Sequence, residues 1–165
     1  MVAAKAHTCR VFFSLLVFFL LISLQRHSVG EDSLSASGNV RKGFVRWVVD
    51  GDTIVLGNNE HVRYVGMDTP ERGEPFYKEA RRRNIELVKG KTITLVVCAE
   101  QPKDKYGRTL GWVWADAVPV NEVLLKEGLA KTLMIPPCGL KKKKDYARLE
   151  SEAKSRRIGI WSLRR

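Results

Sequence analysis

The sequence predicts an α+β domain, a small closed barrel of five short β-strands carrying three α-helices. Three observations carry that expectation. Apolar and polar residues alternate in five short runs, three other stretches repeat at helical spacing, and Gly, Pro, Asn and Asp punctuate the joins. The 165 residues, 44% hydrophobic and 28% charged, suit one ordinary soluble domain plus an appendage.

The appendage comes first. Val11 to Leu24 (VFFSLLVFFLLISL) is free of charge, follows Lys5 and Arg10, and precedes small residues at Ser28-Val29-Gly30. A membrane span needs about 20 apolar residues, so residues 1–30 are expected to be a signal peptide cleaved near Gly30. An uncleaved anchor through residues 11–24 is the alternative. A polar, Ser-rich linker over residues 31–41 leads to a domain over 42–162, and the product is expected to be secreted or periplasmic.

Within the domain, Phe44 to Val49, Thr53 to Leu56 and Val62 to Met67 read as a three-stranded meander broken at Gly-Asp and Gly-Asn-Asn. Pro75 opens a helix in which Tyr77, Ala80, Asn84 and Leu87 share a face, and Gly90 ends it. Strands follow at Thr92 to Val97 and Thr109 to Trp114. Pro119 to Gly128 is a second helix, and about Asp145 to Arg157 a third, packing Tyr146, Leu149 and Ala153 inward. Five strands with helices between and after them point to a barrel of the oligonucleotide-binding (OB) type. The lysine run Lys141 to Lys144 reads as a solvated loop or helix start.

Charge narrows the partners. The chain is +11, and loss of residues 1–30 removes Lys5, Arg10 and Arg26 but no acid, leaving 26 basic against 18 acidic residues. A basic domain suits a polyanion, nucleic acid before acidic lipid. Of three cysteines, Cys9 lies in the leader, while Cys98 and Cys138 remain as a natural pair in an exported chain or as two buried thiols. Without a C-x-x-C or Cys/His cluster, structural zinc is not expected.

The stretch VVDGDTIVL sets Asp50 and Asp52 at a strand end around Gly51, whose freedom is expected to let the backbone turn there. Asp68 closes the third strand in MDTPE. Oxygen ligands from neighbouring strand ends suit a hard cation such as Ca²⁺. Arg63 stands five residues before Asp68 and Glu71 three after it, while DKYGR supplies Lys105, Tyr106 and Arg108. Carboxylates beside cations can hold a metal and a phosphodiester together, one carboxylate activating water.

In order along the chain, VVDGDT, VRYVGMDTPE, YKEA, DKYGR, VNEVLLKEGLAK and EAKSRRIGIW resemble the staphylococcal nuclease-like, or thermonuclease, family over roughly Gly43 to Trp161. The resemblance implies a five-stranded OB barrel with three helices and a Ca²⁺-dependent phosphodiesterase acting on DNA and RNA to leave 3′-phosphates. It implies Asp52, Asp68 and the Thr69 carbonyl as calcium ligands, supported by Asp50 and Thr53. Glu71 would be the general base, and Arg63 and Arg108 the phosphate ligands. Lys105 and Tyr106 would contact a terminal phosphate or sugar.

The family fold would also bring Cys98 and Cys138 near one another. Where the family's best-studied member has two tyrosines flanking the base, this chain has Met134 and Pro136. The loops RGEPFY and Gly57 to Glu60 are short. A monomer without a stable protein partner is expected, touching membrane only through an uncleaved leader. A catalytically weak nucleic-acid- or partner-binding module of the same fold is the alternative, and such modules typically lack part of the acid and arginine set.

Overall fold

Alternation along the first half of the domain builds a sheet that closes on itself. The computed structural model describes residues 39–163; the leader or anchor over 1–30, and most of the linker, lie outside the described residues. The elements are β1 (Val40–Val48), β2 (Thr53–Leu56), β3 (His61–Tyr64), β4 (Met67–Asp68), α1 (Tyr77–Val88), β5 (Thr92–Val97), β6 (Thr109–Ala115), β7 (Val118–Pro119), α2 (Val120–Lys126), β8 (Lys131–Thr132) and α3 (Lys143–Ser155). Strand order is β3-β2-β1-β5-β6-β7, and a parallel pairing of β3 with β6 closes five strands into a barrel. This is the expected α+β, OB-type architecture with three helices.

One face of each strand fills the barrel: Val45, Ile54, Val62, Ile93, Leu95 and Val113 are all at most 1% exposed. Burying such side chains stabilises by about 1.5–3 kcal/mol each. Tyr146, Leu149 and Ala153 of α3 are buried as the periodicity predicts. The inward polar residues close specific links. Tyr64 donates through its hydroxyl to Asn84 Oδ1 at 2.9 Å, and Asn84 Nδ2 donates to the Asp50 carbonyl at 3.0 Å. Asn121 of α2 accepts from the Val113 N–H and donates to the Val65 carbonyl, both at 3.1 Å. A helix face is thereby tied to the turn that carries Asp50.

Two expectations need correcting, and a third divides. Pairing starts before the expected first strand, because Val40 and Arg41, assigned to the linker on composition, face Val96 and Leu95. The run Val62 to Met67 is not one strand. Gly66, at φ 81°, turns the chain out of the barrel, and Met67–Asp68 instead pairs with β8 in a separate two-stranded sheet. The lysine run divides: Lys143 and Lys144 open α3, while Lys141 pairs with Glu100 at 2.6 Å and Lys142 with Glu122 at 3.0 Å.

The register between β1 and β2 shifts between Val45 and Trp47. Such a bulge re-aims the side chains that follow it. Arg46 and Trp47 both point out before Val48 returns to the core.

Candidate active site

Strand β3 lies between β2 and β6, and this neighbourhood assembles the site. Thr53 is the Cα partner of Arg63, and Leu110 is its partner on the other side. Asp52 immediately precedes Thr53, and Arg108 precedes β6. Asp68 follows the Gly66 turn on β4, and Glu71 comes three residues later.

The DGDT turn is held by the Asp52 N–H donating to Asp50 Oδ1 at 3.0 Å and by the Val49 N–H donating to the Thr53 carbonyl at 2.9 Å. Gly51 is required here for space and not for an unusual dihedral. It is absent from the left-handed region, and a Cβ on it would lie 2.7 Å from the Thr69 side chain. That close approach lets Asp52, 3% exposed, reach Thr69: Asp52 Oδ2 accepts from the Thr69 N–H at 2.8 Å and from its hydroxyl at 2.9 Å. Thr53 donates to the other oxygen at 3.2 Å.

Arg63 joins the two carboxylates. Its guanidinium is paired with Asp52 Oδ1 and donates to Asp68 Oδ1 at 2.7 Å, while Lys131 Nζ lies 3.2 Å from Asp68 Oδ2. Burial pulls the Arg63 pKa down, against the opposing charge of Asp68. Burial likewise raises the Asp50 carboxyl above its usual range, against the pull of Arg63 and the hydrogen bonds of Thr53.

The DKYGR loop is an independent bracket. Asp104 accepts from Arg108 Nε at 2.7 Å and from the backbone N–H groups of Tyr106 and Arg108 at 2.9 and 3.0 Å. Burial works to raise the Asp104 carboxyl, but these hydrogen bonds hold it below its ordinary value. The Tyr106 ring is 72% exposed and has the cations of Lys105 and Arg108 at 5.0 and 5.4 Å from its centroid.

Arg63, Arg108, Lys105 and Tyr106 line one pocket of about 350 Å³. Asp52 and Asp68 are linked to its edge through Arg63. Glu71 is exposed, and its carboxylate has no hydrogen-bond partner among the described residues; its N–H donates to Glu74 Oε2 at 2.7 Å. The far wall is apolar, formed by Leu133, Ile135 and Pro136. Pro136 lines this pocket, whereas Met134 packs against the core. Cys98 and Cys138 are joined, with Cα atoms 5.9 Å apart and a sequence separation of 40. The bond ties the start of the 98–108 segment to this wall.

Sequence reasoning passed over Asp104, Lys131, Leu133 and Ile135. Asp104 stood inside the DKYGR motif, and the apolar run Leu133-Met134-Ile135 was the signal for the wall. Lys131 closes the VNEVLLKEGLAK stretch, but only the β4–β8 pairing sets it opposite Asp68.

For a metal, the donor set is two carboxylates on adjoining strand ends and a nearby backbone carbonyl at Thr69, all oxygen. Such a set fits a hard cation and leaves several coordination positions to water or substrate.

A family model described as Staphylococcal nuclease homologue matches residues 61–163. The chain is 40% identical over 123 residues to the SPbeta prophage-derived endonuclease YokF of Bacillus subtilis (strain 168), and 38% identical over 123 residues to Endonuclease YncB of the same organism. Each match covers 69% of this chain, which spans 42% of the first relative and 58% of the second. A Thermonuclease of Staphylococcus intermedius is 31% identical over 159 residues, 89% of this chain and 94% of that one. With more than half of its length matched, the chain belongs to the staphylococcal nuclease homologue family.

Proposed function

We propose that the protein is a Ca²⁺-dependent nuclease that hydrolyses phosphodiester bonds of DNA and RNA to 3′-phosphate products. The observation that carries this reading is Arg63, paired with Asp52 and Asp68 on one side and opening on the other into a pocket that also holds Arg108. The relatives' names, endonuclease and thermonuclease, support it.

Asp52, Asp68 and the Thr69 carbonyl would hold the ion, with Asp50 and Thr53 supporting the turn. When bound, Ca²⁺ would supply positive charge that offsets the negative charge of the phosphodiester. Glu71, exposed and free of competing hydrogen bonds, takes a proton from the attacking water. The water oxygen bonds to phosphorus as the bond to the 5′-oxygen breaks. That oxygen takes up a proton from solvent, leaving a 3′-phosphate and a 5′-hydroxyl. Arg63 and Arg108 donate to the phosphoryl oxygens, where charge builds in the five-coordinate transition state. Lys105 and Tyr106 contact a terminal phosphate or sugar. The leader, with its charge-free run from Val11 to Leu24, is read as directing secretion or export to a periplasm, with membrane anchoring as the alternative.

The test incubates the full chain with single- and double-stranded DNA and RNA, with millimolar Ca²⁺ or with a chelator, and determines the product ends. Cleavage that requires Ca²⁺ and leaves 3′-phosphates is expected. Undiminished cleavage after exhaustive chelation, or 5′-phosphate ends, would overturn the mechanism.

A further inference from the structure

Helix α1 carries two solvent-facing stripes that handle charge differently. On one, Arg83 is 2.8 Å from Glu127 and 3.1 Å from Glu86. On the other, Lys78, Arg81 and Arg82 follow at helical spacing, with Lys89 two turns beyond Arg82, just past the helix end. None of these four forms an ion pair with a carboxylate among the described residues.

The bulge in β1 presents Trp47 to this second stripe. Trp47 is 51% exposed, with the Arg81 guanidinium 5.6 Å and the Lys89 ammonium 5.1 Å from the ring centroid. Arg81 is not free to swing. It donates to the carbonyls of Val49 at 3.0 Å and Val48 at 3.1 Å, which locks one cation beside the ring. Trp47, Arg72, Tyr77, Lys78, Arg81 and Arg82 line a groove of about 650 Å³ that contains no acidic side chain and shares no residue with the Arg63–Arg108 pocket. It begins where the site ends: Val49, which also lines it, precedes Asp50, and Arg72 follows Glu71.

We propose that this groove is a second substrate-binding surface, which holds single-stranded nucleic acid running on from the reaction site. The inference rests on reading the protein as a nuclease. A half-exposed indole beside a fixed guanidinium offers planar faces on which unpaired bases stack, and the unpaired Lys78, Arg82 and Arg72 follow the phosphates. A duplex keeps its base faces inside and can use only the cations.

The test measures binding of a labelled oligothymidylate of about 12 nucleotides, within the span one OB fold occupies, to the full chain in the presence of a chelator. Turnover with Ca²⁺ is measured separately, on the same oligonucleotide and on a nitrophenyl phosphodiester of a single nucleotide. Trp47→Ala is expected to weaken oligonucleotide binding about tenfold, as loss of one stacked base does, while Trp47→Phe retains most of it. Lys78→Ala with Arg82→Ala, both at exposed positions, should reduce the slope of log affinity against log salt by about 1.4, or ~0.7 per lost phosphate contact. Turnover of the short diester should be unchanged in every variant.

Unchanged oligonucleotide binding in both Trp47→Ala and the double variant would overturn the proposal. So would an equal loss on the short diester, or oligonucleotide binding retained while binding to phosphatidylglycerol vesicles is lost. Failure of the nuclease reading shows separately, as absence of cleavage by the parent, and the binding comparison still decides the groove.

Discussion

Arg63 and Arg82 belong to the same basic domain, yet one is clamped between two carboxylates and the other reaches solvent with none. At the pocket each arginine is held in advance, Arg63 by Asp52 and Asp68 and Arg108 by Asp104. On the outer stripe of α1 only Arg81 is held, and it is held by backbone carbonyls. Pre-paired guanidinium groups have already lost their rotamer freedom and desolvated part of their surface. They are suited to a transition state that appears in one place. Unpaired cations attract phosphate in many registers and are screened by salt, which suits a sliding strand.

The largest effects should separate the regions by activity. Glu71→Gln is expected to lower turnover by ~10²–10⁴ as a positioned general base is lost, and Arg108→Ala by ~10²–10³ as a charge ligand of the transition state goes. Both should still bind nucleic acid. Arg82→Ala should leave turnover of a short diester at the parent rate. Turnover by Glu71→Gln at the parent rate would show that water activation belongs to another group.

Next in size is stability at the same two arginines. Arg63→Ala leaves Asp52 and Asp68 without the guanidinium that joins them, in surroundings where their side chains are 5% and 23% exposed. Breaking a buried pair in this way costs about 3–5 kcal/mol. Thermal unfolding should show the loss, and added Ca²⁺ should recover part of it by restoring a cation between the carboxylates. Arg82→Ala should unfold with the parent. Equal unfolding temperatures for Arg63→Ala and the parent in chelator would mean that the pairing carries no structural load.

The pocket is also cross-linked, and the groove is not. The Cys98–Cys138 bond closes a long loop and is expected to contribute ~3–4 kcal/mol by the chain-entropy relation, less any strain. Reduction should lower the unfolding temperature and loosen the loop carrying Lys105, Tyr106 and Arg108. Digestion of the protein purified without reductant should yield one joined peptide pair, and two freely alkylatable thiols in native protein would rule the bond out.

How much of this was legible in the sequence follows from the range of the signals. Strand alternation and helical spacing are local, and they placed five strands and three helices within a few residues. The Asp52, Arg63, Asp68 and Glu71 set lay within motifs whose order could be read directly. What escaped depended on contacts between distant segments or on a single irregular residue. Gly66 split an apparently continuous run, the bulge near Arg46 turned Trp47 outward, and Lys131 met Asp68 only through the β4–β8 pairing. Gly51 was recognised as necessary but for another reason, since its requirement comes from Thr69, eighteen residues away in sequence.

The smallest expected effect concerns pH, and it distinguishes a paired arginine from an unpaired one without any substrate. Asp104 sits below its ordinary value of 3.8 because the hydrogen bonds from Arg108 and the loop backbone outweigh the effect of burial. A carboxyl with a depressed folded pKa contributes stability that is fully present above its unfolded value and disappears as pH falls through the folded value. Asp104→Asn should therefore unfold somewhat below the parent at neutral pH, by about 1 kcal/mol or less for so exposed a pair. The gap should close between pH 4 and the lower folded value, as the parent's carboxyl takes up its proton. High salt should narrow it further, because the side chain of Arg108 is 30% exposed. Arg82→Ala, with no carboxylate beside it, should show no such gap at any pH. A constant difference between Asp104→Asn and the parent across this range would mean that the residue acts through loop geometry alone, and that Arg108 is positioned by the backbone turn and not by its charge.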